Sequence, residues 1–522
     1  MNGAEQQAAS TSKTVLNNTV LLGIEYGLAL LTILAANVPV LRHYGPAKMN
    51  YYMIVQWVAF ASAGALLGGV PTAARRYMAE MLGKNDLDSA RSIYFYTFRL
   101  QALIGLGMLA IGETLVFTIS RRDYWPSSAV MVLVLLPRML TSIPSQAQWS
   151  ANRLKDNLIS TLVSNVTLIA LVLTSLALEW GLVGVAAATL VSYIVELGLK
   201  SMFVQRWLGW GPRPKLDREL KRRMATFSWQ GLVVLCLNLI VLDKSDLLFL
   251  QWLKHNDKVS AYFSVGFNIA DKVNQVVNTF VAGVGISIMN QMQRGAENME
   301  AIATKGLRYC LLLASPMLFL VAGVGTPLVL TLYGEKYGPA GAILSLAAVL
   351  AIGKSLLPLA QTLFQTVEKQ GPLAGWVAVF GVVNIGLDLL LIPPLAAIGA
   401  TLANGITQLL LAGVLLWWAQ RTLHIRWHAG RAIAATIPAA MGGAAEYWIS
   451  LMAAAPWLGL AAGLFAGGTV YATMLRLLRT LNEEDARRCR HLLERAPAWS
   501  RGVAQMVIAF VIPARRKMAL QP

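Results

Sequence analysis

The sequence predicts an all-α polytopic membrane protein of about fourteen transmembrane helices, and three observations predict it. Of 522 residues, 56% are hydrophobic and only 13% charged, where a soluble globular domain carries roughly a quarter charged residues. Apolar runs of about 20 residues, the length that crosses a hydrocarbon core, follow one another through the chain. Lys and Arg then alternate in density between successive loops, as the positive-inside rule requires of a multi-pass chain.

The runs fall at roughly 17–41, 50–71, 93–119, 127–149, 157–179, 181–204, 225–253, 259–290, 307–330, 339–365, 371–393, 397–420, 431–452 and 456–476. Several connections are very short, so neighbouring spans run antiparallel. Met1 to Lys13 is polar and lacks a basic n-region, so the first run is expected to act as its own insertion signal. Loops after even-numbered spans hold about 18 Lys and Arg, and loops after odd-numbered spans about 7. The even loops and both termini are therefore expected in the cytoplasm, with Trp125, Trp207, Trp210 and Trp252 near interfaces. A formal charge of +18 distributed in this way suits anionic lipid and does not argue for nucleic acid.

The longest basic loop, Gln205 to Arg223, separates two sets of six spans. Gly184 to Ser192 in span 6 matches Gly399 to Thr407 in span 12. At the same offset of 215 Gln146 falls on Gln361, Trp149 on Phe364 and Leu176 on Leu391. Parallel repeats of this kind are a recurrent transporter architecture, with substrate near mid-membrane. The expected organisation is a tail 1–14, an N-lobe 15–204, a basic inter-lobe loop 205–224, a C-lobe 225–420, two further spans in 421–476 and a basic tail 477–522. In that tail Trp499 to Ile512 is too short to span and is expected to lie at the interface, ended by Arg515, Arg516 and Lys517. Cys236 and Cys310 sit in apolar runs and Cys489 in the tail, and the five His form no cluster. There is no disulfide framework, and neither a metal site nor a cofactor is expected.

Ionised groups inside spans are costly, so they pair, face a bundle interior or line a path. The hairpin Thr226 to Asn290 concentrates them: Asp243, Lys244 and Asp246 in its first arm, Asp271 and Lys272 in its second. Asp243 and Asp246 share a helix face, with Lys244 turned about 100° away. Arg138 follows Pro137 near the middle of span 4, and Lys354 precedes Pro358 near the middle of span 10. The repeat offset sets Arg138 one residue from Lys354. Glu25, Arg99, Glu113 and Asp388 are further intramembrane charges.

Three stretches carry a family resemblance: Leu332 to Ala340 (LYGEKYGPA), Gly184 to Ser192 with its echo at Gly399 to Thr407, and Val241 to Phe249 (VLDKSDLLF) followed by Ala261-Tyr-Phe263. Over about residues 15 to 476 the chain resembles the oligosaccharide-lipid (Wzx-type O-antigen and exopolysaccharide) flippases of the multidrug/oligosaccharidyl-lipid/polysaccharide exporter superfamily. The resemblance implies two six-helix lobes in a V around a central cavity, with two peripheral helices. It also implies translocation of an undecaprenyl-diphosphate-linked oligosaccharide across the bacterial cytoplasmic membrane by ion-coupled alternating access, without bond chemistry.

Arg138, Lys354, Lys244, Lys272 and Arg99 are then the candidate cations for the diphosphate. Asp243, Asp246, Asp271, Glu25 and Asp388 are candidates for coupling to H+ or Na+, or for ion pairing. Structural pairs, Asp243 or Asp246 with Lys272 and Lys244 with Asp271, are an equal alternative, and for Arg99 a lipid-headgroup contact is favoured over a cavity role. A polysaccharide polymerase and a chain-length regulator are candidate protein partners. A multidrug/cation antiporter and a lipid II flippase of the same superfamily stay open as alternatives. A membrane enzyme ranks below them, because every outer loop is short.

Overall fold

The computed structural model describes residues 3–67, 69–119, 122–212, 214–242, 245–293, 299–366, 370–423, 430, 434, 436–478, 480–481 and 510–511. Every regular element among them is helical. The helices are α1 (Gly3–Leu67), α2 (Val70–Gly83), α3 (Leu87–Ile119), α4 (Trp125–Leu133), α5 (Leu135–Ser150), α6 (Leu154–Ala177), α7 (Gly181–Leu208), α8 (Arg218–Leu242) and α9 (Ser245–Lys254). They continue with α10 (Asp257–Gln293), α11 (Met299–Gly323), α12 (Gly325–Tyr333), α13 (Ala340–Thr366), α14 (Gln370–Leu395), α15 (Ala397–Leu423), α16 (Ile437–Leu451) and α17 (Pro456–Leu477). Asp243, Lys244 and most of the expected interfacial stretch 499–512 lie outside the described residues.

Each of the fourteen apolar runs falls on helix in its described part. Among the described residues, nine helical segments are long and apolar enough to cross a membrane. In α1 two runs share one assigned helix that turns at Gly45, whose φ of 72° and ψ of 173° suit only glycine. Gly334, in the LYGEKYGPA stretch, repeats that conformation (φ 84°, ψ 176°) before the one-turn helix Glu335–Tyr337. At 10 and 15 residues, α9 and α16 are shorter than a span.

One segment expected as a loop is helical. In α2, Val70, Ala73, Ala74, Tyr77 and Met78 recur at helical spacing and are buried, while Arg75 and Arg76 are exposed. A stripe of this width makes a surface helix that packs one face inward.

The chain divides into two compact units. The first is residues 1–264 with 377–396. Its core joins α2, α3, α5 and α7 through Tyr77, Met78, Ile93, Ile143, Ala147, Val204 and Leu208. Arg91, buried on α3, donates from Nε (3.0 Å) and Nη2 (2.6 Å) to the carbonyl of Leu208, the last residue of α7. Its Nη1 donates to Pro212 O at 3.0 Å. A guanidinium there satisfies carbonyls that the helix leaves without partners.

The second unit is residues 265–376 with 397–522. In it α13 lies along α15, α11 packs on α13 and α16, and α16 packs on α17. The α13–α15 contact is made at backbone distance. A Cβ built on Gly353 would lie 2.6 Å from Leu409 Cα, and one on Gly405 would lie 2.5 Å from Leu350 Cβ. Small residues serve this way in membranes, where close van der Waals contact replaces the hydrophobic drive between helices.

Gly353→Leu should therefore lower the thermal midpoint of the detergent-solubilised protein, since overpacking costs about 1–3 kcal/mol or more. Gly375→Leu, at an exposed site on α14 with open space around it, should leave the midpoint unchanged.

Candidate functional site

Three clusters of polar and charged side chains lie within the spans of one unit or the other. The first is built around Arg138 in the first unit. Pro137 has no N–H for the Leu133 carbonyl, and the helix breaks there between α4 and α5. Arg138 follows the break, its own N–H bonded to Val134 O at 3.1 Å. Its guanidinium sits 3.9 Å from the Phe60 ring centroid and 5.3 Å from that of Tyr193, and donates to Tyr193 Oη. Among the described residues these aromatic contacts are its partners, so the positive charge is held by ring faces and a hydroxyl. Nearby spans carry a second set. Asn157 Nδ2 donates to Glu25 Oε1 at 2.9 Å, and Asn157 Oδ1 accepts from Ser145 Oγ at 2.8 Å. Lys200 and Glu196, four residues apart on α7, pair at 2.6 Å, and both are nearly buried.

The second cluster, also in the first unit, is acidic. Asp246 at the start of α9 and Asn384 and Asp388 on α14 are all fully buried. Asn384 Nδ2 donates to Asp246 Oδ1 at 3.0 Å and to Asp388 Oδ2 at 3.4 Å. Among the described residues, Asp388 Oδ1 and Asn384 Oδ1 have no hydrogen-bond donor. Two carboxyl groups this close in a low-dielectric interior repel each other when both are ionised, which favours a proton or a cation beside them.

The third cluster is in the second unit and surrounds Lys354. Lys354 Nζ lies 2.6 Å from Asp271 Oδ1 on α10 and 5.9 Å from the Phe267 ring. Gln275 bridges onward, donating to Asp271 Oδ2 at 2.8 Å and accepting from Lys272 Nζ at 2.9 Å. Asn274, Asn404 and Gln408 join them around a small polar cavity. Gln408 Nε2 donates to Asn404 Oδ1 at 2.6 Å. Asn274 is fully buried with neither side-chain polar atom hydrogen-bonded.

At the repeat offset of 215, Tyr193 falls on Gln408, as Arg138 falls beside Lys354. Each unit thus carries a cation on one helix beside a polar side chain at the matching position of the next, α5 with α7 and α13 with α15.

The candidate residues therefore separate into groups. Arg138 and Glu25 lie in different polar sets of the first unit, and Asp246 joins Asp388 there. Asp271, Lys272 and Lys354 form one network in the second unit. Arg99 is exposed on α3, apart from these clusters. Sequence reasoning passed over Asn157, Glu196, Lys200, Asn274, Asn384 and Gln408. The usable signal was helical spacing: Asn384 and Asp388, Asp271 and Gln275, and Glu196 and Lys200 are each four apart, one helix turn.

Residues 81–342, half of the chain, match the family described as polysaccharide biosynthesis protein. The chain belongs to this family. No curated protein sequence matches it. Among solved structures, the family member is similar to the lipid II flippase MurJ in an inward closed conformation. The TM-score is 0.64 at 13% identity, over 90% of this chain and 98% of that one. An inward-facing multidrug resistance MATE transporter of the MOP superfamily aligns with TM-score 0.61 at 15% identity, over 77% and 94%. A MOP superfamily transporter from Pyrococcus furiosus, reported with a binding pocket of reversed polarity, aligns with TM-score 0.58 at 14% identity, over 79% and 96%. The polysaccharide biosynthesis family protein is thus a multi-pass membrane protein with the MOP exporter fold. The solved structures it resembles are transporters and flippases, not enzymes.

The Lys354–Asp271 contact is testable by a double-mutant cycle on unfolding in detergent. Lys354→Met alone leaves a nearly buried carboxylate without its cation, which should cost more than Lys354→Met combined with Asp271→Asn. The coupling between the two positions should fall in the range of about 0.5–3 kcal/mol.

Proposed function

We propose that this protein flips an undecaprenyl-diphosphate-linked oligosaccharide from the cytoplasmic to the periplasmic leaflet of the bacterial inner membrane, with both termini in the cytoplasm. The reading rests on the family match. The observation that carries the substrate chemistry is the pair of intramembrane cations, Arg138 and Lys354, one residue apart in the repeat register of spans 4 and 10. A diphosphate leaving water needs cationic, charge-assisted hydrogen-bond partners. Arg138, held among the described residues by aromatic rings and one hydroxyl, retains guanidinium donors for an anion. Lys354 is held by Asp271, so an incoming phosphate would exchange with that carboxylate.

In this proposal the coupling ion, H+ or Na+, is exchanged at Asp246, Asn384 and Asp388, whose two carboxyl groups cannot both stay ionised without a counter-charge. The exporter needs no cofactor, and a polymerase and a chain-length regulator are natural recipients of its product. A lipid II precursor is the second reading, favoured by the 90% coverage of this chain by the lipid II flippase structure. It has the same diphosphate chemistry and differs in the sugar and peptide portion. A drug antiporter is disfavoured, because cationic side chains in the spans repel cationic substrates.

Arg138→Ala with Lys354→Ala and Asp271→Asn, the last included so that no carboxylate is left unpaired, should stop polymer export in cells at unchanged membrane abundance. Normal export from this variant would remove the cations from the substrate path. In proteoliposomes, Asp388→Asn should abolish the response of flipping to an imposed H+ or Na+ gradient; an unaltered gradient response would move coupling elsewhere. Accumulation of cell-wall precursor on depletion, with surface polysaccharide intact, would select the second reading.

A further inference from the structure

Glu446, on α16 in the second unit, is a carboxyl group that none of the clusters above uses. It is fully buried, and among the described residues neither of its oxygens has a hydrogen-bond partner. It lies five positions before Leu451, the last residue of α16, about 7.5 Å along the helix. Glycines of two other helices close on it. A Cβ on Gly323 of α11 would lie 2.6 Å from Oε2, and a Cβ on Gly467 of α17 would lie 2.7 Å from Oε1. On α16 itself, a Cβ on Gly443 would lie 2.5 Å from Phe319 O of α11. The carboxyl is therefore clasped between α11 and α17 at glycine positions on either side.

The titratable groups of the packed helices do not supply a counter-charge. On α11 they are Glu300, Lys305, Arg308, Tyr309 and Cys310, and even Cys310 precedes Gly323 by thirteen residues, about 20 Å of helix; on α12, which also packs on α17, the one such group is Tyr333 at its far end. Arg308 donates to Thr480 O at 2.7 Å. On α17 they are Tyr471, whose Cβ packs over Gly442, and Arg476, nine residues beyond Gly467. Tyr447, next to Glu446, is exposed. An ionised carboxylate in such a place would be unpaired and desolvated, a cost that the group avoids by taking up a proton.

We infer that Glu446 is a proton-binding site separate from the Asp246–Asn384–Asp388 cluster, and that the bound proton holds α11, α16 and α17 in contact. Neutral, the carboxyl fits the glycine clasp. Ionised, it draws water, and the clasp has no room for water without the helices separating. The site lies entirely on helices of one unit, and the inference does not depend on which substrate is carried.

Two measurements on the full-length protein test it. As the pH is raised from about 5 into the alkaline range, the thermal midpoint of the wild type should fall by a few degrees more than that of Glu446→Gln, which keeps the shape and cannot ionise, because the folded protein keeps a proton there that the unfolded chain has already released. The infrared difference spectrum of wild type minus Glu446→Gln should show the carbonyl stretch of an un-ionised carboxylic acid at neutral pH and lose it at alkaline pH. Should Glu446→Gln fail to accumulate, Glu446→Asp, which withdraws the carboxyl by one methylene from the clasp, serves instead. Its acid band should disappear at lower pH than the wild-type band. Parallel pH profiles for wild type and Glu446→Gln, or an ionised carboxylate band for Glu446 at neutral pH, would overturn the inference.

Discussion

Charge placed where water is absent governs this molecule. Each intramembrane ionic group has to find its partner inside the protein, because the surrounding lipid offers none. The described structure meets that requirement in four ways. Lys354 and Lys200 take carboxylates, Arg138 takes aromatic faces, Asp246 and Asp388 share an amide, and Glu446 is clasped by glycines. The helices fall into place around these solutions. The α13–α15 contact at Gly353 sits beside Lys354 and Gln408, and the Pro137 break in the first unit sits beside Arg138.

The four solutions also differ in what they leave available. An ion pair at 2.6 Å neutralises its charges and is released only to a competitor of the same sign and comparable strength. A guanidinium on ring faces stays a net cation with donors pointing away from the rings. A pair of carboxyl groups remains responsive to whatever cation reaches it. The proposed flippase would use all three behaviours: a retained attraction for cargo, an exchangeable contact, and a site that responds to an ion gradient.

Much of the helical fold was legible from hydropathy, because only helices satisfy the backbone in lipid and about 20 apolar residues are needed for each crossing. The positive φ at Gly334 was not read from the sequence, where the LYGEKYGPA stretch entered only through the family resemblance. The α2 helix was not legible either, because its length is below that of a span and its two arginines read as loop charge. Arg138 and Lys354 stood out as charges in apolar runs, and so did Asp246, Asp271 and Asp388. Their partners did not: Asn384, Gln275, Gln408 and Tyr193 are uncharged and carry no hydropathy signal strong enough to separate them from packing. Which lysine reaches Asp271 was also beyond the sequence, since Lys354 lies 83 positions away and meets it only through the packing of the second unit.

Arg91 shows how one residue can serve two codes at once. It counts among the cations of an even-numbered loop, the class that steers a chain during insertion. In the folded protein it is only 7% exposed, and its nitrogens hold the carbonyls of Leu208 and Pro212 where α7 ends and the basic loop begins. Its Nη1 also pairs with Asp88 Oδ1 on α3 at 2.5 Å. The loop that leaves α7 is consequently tied to α3 at its root, so its direction of departure is set by the first unit and not by the lipid surface. Any reporter that scores topology by neutralising Arg91 would measure the loss of that tether together with the loss of a charge.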